Sequence, residues 1–89
     1  MKVLTIYFNE ASVKQGEVFQ LDLPEGLIVG DIWDDVKVVS GKASLCDTAR
    51  PGRSHGVVEM TFKAEEVGEI VIAAKSKIGM TADFKVTVN

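Results

Sequence analysis

Alternating apolar and polar residues run through the stretch from Gly56 to Lys75 and predict two β-strands. Apolar side chains occupy every second position in both halves of this stretch: Val58, Met60, Phe62 and Ala64, then Ile70, Ile72 and Ala74. A period of two places these residues on one face of a strand. The connection from Glu65 to Gly68 is short and ends in glycine. We therefore expect the two strands to be antiparallel neighbours in one sheet.

The same period predicts most of the remaining elements. It indicates strands at 2–8, 17–23, 32–39 with an interruption at Asp34-Asp35, 43–47 and 80–88, and an edge segment at 11–14. No segment has a helical period. Seven or eight short strands separated by turn residues predict an all-β antiparallel β-sandwich, with a small closed barrel as the alternative. Trp33 favours the sandwich, in which a tryptophan commonly fills the space between the sheets.

Length and charge limit the function. At 89 residues the chain has room for one domain, residues 1–89, with one core and no large enclosed active site. The net charge of −3 gives no field that attracts nucleic acid or an anionic membrane. The N-terminal apolar run is too short for a secretion signal or a membrane span. Cys46 has no second cysteine to pair with, and we expect it to be a small, partly buried residue.

Two motifs resemble catalytic or metal sites and do not meet their requirements. Gly52 to Gly56 matches the G-x-S-x-G nucleophile elbow, but the single histidine, His55, directly follows Ser54, and no later histidine exists. The acidic cluster of Asp31, Asp34 and Asp35 matches no calcium-loop spacing, although the sequence leaves ion binding there open. We expect no enzymatic activity, no cofactor and no metal site.

Two loops are candidate protein-binding surfaces. The first carries Arg50, Arg53 and His55, whose side chains suit carboxylates on a partner; the alternative is a solvated polar turn. It lies in the half of the chain with six cations against five carboxylates, whereas residues 1–49 have four against eight. The second has an apolar centre, Leu27, Ile28 and Val29, which either contacts a partner or caps the sandwich.

Residues 63–88, KAEEVGEIVIAAKSKIGMTADFKVTV, resemble the C-terminal half of bacterial group 2 immunoglobulin-like (Ig-like) domains. Gln15-Gly16-Glu17 fits the same pattern. The resemblance implies an Ig-like antiparallel β-sandwich of seven to eight strands. Such modules occur in bacterial surface proteins and in phage capsid and tail proteins, where they are non-catalytic decorations or spacers.

A second resemblance is to chagasin-type inhibitors of papain-like cysteine proteases, which are also Ig-like. Gly30-Asp31-Ile32-Trp33 matches the Gly-x-x-Trp of that family, and Gly56 to Glu59 is similar to the region where its glycine-rich loop enters the next strand. Ile28 and Val29 stand where the family has threonines that contact the protease. The Arg-Pro-Trp loop of the family is absent at Lys75 to Gly79.

These features favour a non-catalytic structural or binding module, first of all a phage virion protein that decorates a capsid or tail. The chain starts with methionine and has no export signal, which indicates the virion or the host cytoplasm. Its partner would then be a capsid or tail protein. The alternative is a chagasin-like inhibitor, or another loop-based binder, with a protease as the partner. The partner's identity, the contacting loop or sheet edge and homo-oligomer formation stay open.

Overall fold

The structure is a computed structural model that describes residues 1–25, 32–50 and 56–89. In these ranges the chain forms strands and no helix, so no helix there is long and apolar enough to cross a membrane. The eight strands are β1 (Lys2–Leu4), β2 (Glu10–Val13), β3 (Val18–Pro24), β4 (Trp33–Ser40), β5 (Ala43–Ala49), β6 (Val57–Ala64), β7 (Gly68–Ser76) and β8 (Thr81–Val88).

The strands form two sheets of four, in the orders β1-β3-β6-β5 and β2-β8-β7-β4. The predicted sandwich is thus confirmed, and the strands do not close into a barrel. Most neighbours are antiparallel, as expected. The edge pairs β1–β3 and β2–β8 are parallel, which the alternation of side chains does not reveal because it is the same in both directions.

The core lies between the sheets and is built from the alternating positions. Phe19 and Phe62 stack across β3 and β6 with ring centroids 5.8 Å apart. Phe84 and Val86 face them from β8, and both are buried. Burial of each such side chain contributes roughly 1.5–3 kcal/mol, so packing alone can hold a chain without a disulfide.

The prediction that residues 56–75 form one hairpin is wrong. β6 pairs with β3 and β5, whereas β7 lies in the other sheet between β8 and β4. The connection after Ala64 crosses from one layer to the other, and at the end of β6 the Ala64 amide donates to the Glu17 carbonyl oxygen at 2.9 Å. Alternation predicts which face of each strand is buried, and two strands in opposite layers satisfy it as well as two neighbours do.

The predicted first strand, residues 2–8, ends early. The Thr5 hydroxyl oxygen accepts hydrogen bonds from the amides of Tyr7 and Phe8 at 3.2 and 3.1 Å. The resulting turn takes the chain from the edge of the first sheet, at β1, to the edge of the second sheet, at β2. Tyr7 and Phe8 are therefore exposed, at 83% and 76%. Leu4 is fully buried, and Ile6 packs partly against the core.

Irregularities in the ladders explain two further differences. β4 continues through Asp34-Asp35 because a register shift between Trp33 and Asp35 absorbs them. A second shift lies between Leu45 and Asp47, and Cys46 at this bulge is exposed rather than partly buried. The last strand, predicted at 80–88, begins one residue later at Thr81, and Met80 is 38% exposed.

Candidate functional site

Four of the seven connections between the described strands meet at one end of the sandwich. β3 ends at Pro24 opposite Val57, the first residue of β6. β4 begins at Trp33 opposite Ser76, the last residue of β7. The β3–β4, β5–β6 and β7–β8 connections therefore leave from the same end, which we call the loop end. The β1–β2 turn lies at this end too, because β1 runs parallel to β3 and β2 runs parallel to β8. The β2–β3, β4–β5 and β6–β7 connections lie at the opposite end, the turn end.

The topology assigns both sequence-predicted binding segments to the loop end. Leu27, Ile28 and Val29 belong to the β3–β4 connection, and Arg53 and His55 to the β5–β6 connection. These five residues lie outside the described residues, as do Asp31 and Ser54. Their roles as protein contacts stay predictions. Arg50 is the one residue of the predicted set that the structure describes.

Arg50 forms an ion pair within the chain. Its Nε donates to Glu25 Oε1 at 2.9 Å, and its Nη2 donates to Glu25 Oε2 at 3.3 Å. The Glu25 side chain is only 6% exposed, whereas that of Arg50 is 47% exposed. The carboxylate is thus covered, and one face of the guanidinium still meets solvent. The bidentate geometry that the sequence assigned to a partner's carboxylate is satisfied by Glu25.

Trp33 joins the same network through both of its N–H groups. Its amide donates to Glu25 Oε2 at 2.9 Å, and its indole Nε1 donates to the Pro24 carbonyl oxygen at 2.6 Å. The Glu25 amide in turn donates to the Gly56 carbonyl oxygen. Residues at the ends of β3 and β5 and at the starts of β4 and β6 are therefore tied together. Within the described ranges, no buried side-chain N or O atom lacks a hydrogen-bond partner.

The β7–β8 connection is a short turn. The Ser76 amide donates to the Met80 carbonyl oxygen at 2.8 Å, and the Met80 amide returns a bond to the Ser76 hydroxyl at 3.1 Å. The Lys77 amide donates to the Ile32 carbonyl oxygen at 3.0 Å, which links this turn to the start of β4. The β7–β8 connection is thus compact and held against its neighbour.

An apolar groove lies beside the loop end. It has a volume of about 570 Å³ and is lined by the turn Thr5–Phe8 together with Asp22, Pro24, Val57 and Met80. The alternation assigned Tyr7 and Phe8 to a strand, and they were not among the predicted contact residues. A Thr whose hydroxyl can bond the amides two and three positions later was the available signal. Glu25 was missed as well, and its pairing with Arg50 has no local signal.

Nothing in the described part of the chain forms a metal site. No group of three or more His, Cys, Asp or Glu side chains there could hold an ion. Asp34 and Asp35 are exposed, and Asp35 pairs with Lys37 at 3.5 Å. The third member of the predicted acidic cluster, Asp31, lies outside the described residues. The described part of the loop end is held together by hydrogen bonds among Glu25, Trp33 and Arg50.

Comparison with known proteins gives structural matches only. No protein-family model and no curated protein sequence matches the chain. The cysteine protease inhibitor EhICP2 from Entamoeba histolytica has a similar structure, with a TM-score of 0.81 at 14% identity; the match covers 99% of this chain and 94% of that protein. Amebosin matches with a TM-score of 0.65 at 20% identity, over 99% of this chain and 97% of that one.

These likenesses concern the fold. They confirm the Ig-like β-sandwich that the sequence predicted, and they give no support to a virion role or to a capsid or tail partner. The predicted location, virion or host cytoplasm, stays a prediction. Over nearly its whole length, this chain has the Ig-like fold of a known inhibitor of cysteine proteases.

Proposed function

We propose that this protein is a reversible inhibitor of papain-family cysteine proteases that binds them with its loop end. The observation that carries the proposal is that the β3–β4, β5–β6 and β7–β8 connections converge, beside the β1–β2 turn, at one end of the sandwich. The ends of two of them are joined by the Glu25, Trp33 and Arg50 network. Binding loops are commonly placed in this way, on a scaffold that supplies rigidity while the loops supply contacts.

Two independent likenesses support this function. The Entamoeba protein that shares the fold over 99% of the chain is a cysteine protease inhibitor. The Gly30 to Trp33 motif resembles that of chagasin-type inhibitors, and Trp33 is buried at the start of β4, where it closes the β3–β4 connection. Neither likeness requires catalysis by this chain.

The contacts must differ from those of the chagasin type. Ile28 and Val29 replace threonines, and the compact turn at Lys77–Gly79 has no Arg-Pro-Trp sequence. We therefore assign affinity mainly to two connections. The β3–β4 connection would contribute its apolar residues, Leu27, Ile28 and Val29, and the β5–β6 connection Arg53 and His55. Apolar residues at the centre of an interface and arginine at its polar contacts are the usual sources of binding energy.

Arg50 has a different role in this proposal. Its guanidinium is committed to Glu25, so it supports the β5–β6 connection from within and offers a partner only its exposed face. The groove next to the loop end adds Tyr7 and Phe8, two exposed aromatic side chains of the kind enriched at interfaces.

The test is titration of active papain with the purified protein, followed with a fluorogenic substrate. Competitive, reversible inhibition is expected, together with binding to papain whose catalytic cysteine has been carboxymethylated, because the contacts are non-covalent. Trypsin serves as the unrelated protease. Absence of inhibition and binding across papain and several related cathepsins would reject the proposal, and capture of a capsid or tail protein from the native source would favour the virion role instead.

A further inference from the structure

The Glu25 carboxylate is the point at which the ends of the β3–β4 and β5–β6 connections meet. It accepts from the Trp33 amide at the start of β4 and from the Arg50 guanidinium at the end of β5. Its own amide donates to Gly56, just before β6. Glu25 stands at the start of the β3–β4 connection and thus bonds to the end of that connection, at Trp33, and to both ends of the β5–β6 connection, at Arg50 and Gly56. No other residue of the loop end joins two connections through so many bonds in the described ranges.

We propose that Glu25 is a positioning residue: it fixes the ends of the β3–β4 and β5–β6 connections relative to each other, and this order lowers the cost of contacting a protease with the loop end. This inference rests on the proposed function and names the residue that sets the geometry of the site. A surface that is already in its binding geometry loses less conformational entropy on association. Removal of the carboxylate should therefore shorten the lifetime of the complex more than it slows its formation.

The location of Glu25 supports positioning rather than general stabilisation. The core contains 16 buried apolar residues, and Glu25 is the one charged residue in the buried class within the described ranges. A buried charge pair adds little net stability but restricts geometry when its hydrogen bonds are satisfied. The turn end is joined by backbone bonds such as Gly16 N–H to the Ala64 carbonyl and by side-chain bonds of exposed residues, such as Gln15 Nε2 to the Glu65 carbonyl, and not by a buried carboxylate in the described ranges.

Three variants separate charge, reach and bidentate geometry. Glu25→Gln keeps the length of the side chain and an acceptor for the Trp33 amide but removes the charge that holds Arg50. Glu25→Asp keeps the charge and withdraws the carboxylate by one methylene. Arg50→Lys keeps the cation and loses the planar fork. The matched control is Ile70→Val, a fully buried position near the turn end, which lowers stability without changing the loop end.

The first measurement is hydrogen exchange of the full chain, at a temperature where every variant is folded. Glu25→Gln is expected to speed exchange by about tenfold or more at the Trp33 amide and in the segments at the ends of both connections, with the turn end unchanged. Ile70→Val should not reproduce this pattern. Faster exchange in one connection alone, or in neither, would overturn the inference without any protease in the experiment.

The second measurement is inhibition kinetics against papain. Glu25→Gln should raise the dissociation rate by about tenfold and change the association rate by less than about threefold, with smaller effects for Glu25→Asp and Arg50→Lys. Ile70→Val should leave both rates unchanged. Faster exchange in both connections together with wild-type inhibition by Glu25→Gln would overturn the positioning role. If the wild-type protein inhibits no papain-family protease, the proposed function fails, and the positioning of a protease-binding surface fails with it, whereas the exchange data report separately on the Glu25 network.

Discussion

Arg50 and Glu25 are 25 positions apart in sequence and form a two-bond ion pair, with Nε 2.9 Å from Oε1. The pair lies at the surface of the loop end: the Glu25 carboxylate is covered, and the Arg50 side chain is about half exposed. It converts a loop arginine, which by sequence alone suggests a partner's carboxylate, into part of the scaffold that holds the loops.

Arg50→Ala should lower the free energy of unfolding by about 2 kcal/mol, because it leaves a buried carboxylate whose remaining donor among the described residues is the Trp33 amide. The value lies between those of exposed and fully buried pairs because Arg50 is half solvated. Urea denaturation measures it. The control is Lys85→Ala, which breaks an exposed 3.3 Å pair with Glu69 and should cost less than about 0.5 kcal/mol. Equal losses in both variants would contradict the structural role of Arg50.

Trp33→Phe should cost about 1–2 kcal/mol beyond any change in packing, because the Pro24 carbonyl oxygen loses the indole N–H. Thermal and urea unfolding give the comparison. Tyr7→Phe removes a polar group from an exposed aromatic ring and should stay within about 0.5 kcal/mol of the wild type. A Trp33→Phe variant as stable as Tyr7→Phe would show that the indole bond contributes nothing.

Gly56→Ala should destabilise the protein by roughly 1–3 kcal/mol and weaken inhibition, because a Cβ at this position would overlap the backbone of Glu25. The end of β3 and the start of β6 would have to move apart. Gly16→Ala is the control: its φ is +87°, so alanine is strained there too, but nothing lies within 4 Å and the turn end is far from the site. We expect both variants to lose stability and only Gly56→Ala to lose affinity for papain. Unchanged affinity in Gly56→Ala would argue against a protease site at this end.

Alanine at Ile28, Val29 or His55 should weaken protease binding by roughly 1–3 kcal/mol for each residue that lies at the centre of the interface. Inhibition constants for papain provide the measurement. Lys42→Ala, at the turn end, should bind like the wild type; its side chain pairs with Glu66 on the surface. If the three loop variants match Lys42→Ala, the contacts lie elsewhere, and the groove with Tyr7 and Phe8 becomes the next region to test.

Cys46 should react with a thiol reagent such as dithionitrobenzoate in the folded protein, at a rate similar to that in denaturant. The residue is exposed at a bulge, and its Sγ donates a weak hydrogen bond to the Ser44 carbonyl oxygen at 3.6 Å. Labelling that requires denaturant would show that the edge strand β5 is covered, for example by a second copy of the chain. A size-exclusion run before and after labelling distinguishes that case.

The alternation of side chains was sufficient to predict an all-β sandwich and most of its core. Phe19, Leu21 and Leu23 of β3 and Phe84, Val86 and Val88 of β8 are buried as their spacing indicates. The prediction failed where more than one arrangement of the chain satisfies the same alternation. The strands 57–64 and 68–76 were assigned to one hairpin but lie in opposite sheets, and residues 5–8 were assigned to a strand but form a turn around the Thr5 hydroxyl.

The sequence by itself therefore determined which side chains point inward, because the pleat of a strand fixes that locally. Only the tertiary structure decided which strands are neighbours, and it alone brought Glu25, Trp33 and Arg50 together at the loop end. Such contacts depend on the order of strands in two layers, which residues far apart in the chain determine jointly. For the same reason the sequence predicted that Arg50 is free to bind a partner, whereas in the structure it is bound to the buried carboxylate of Glu25.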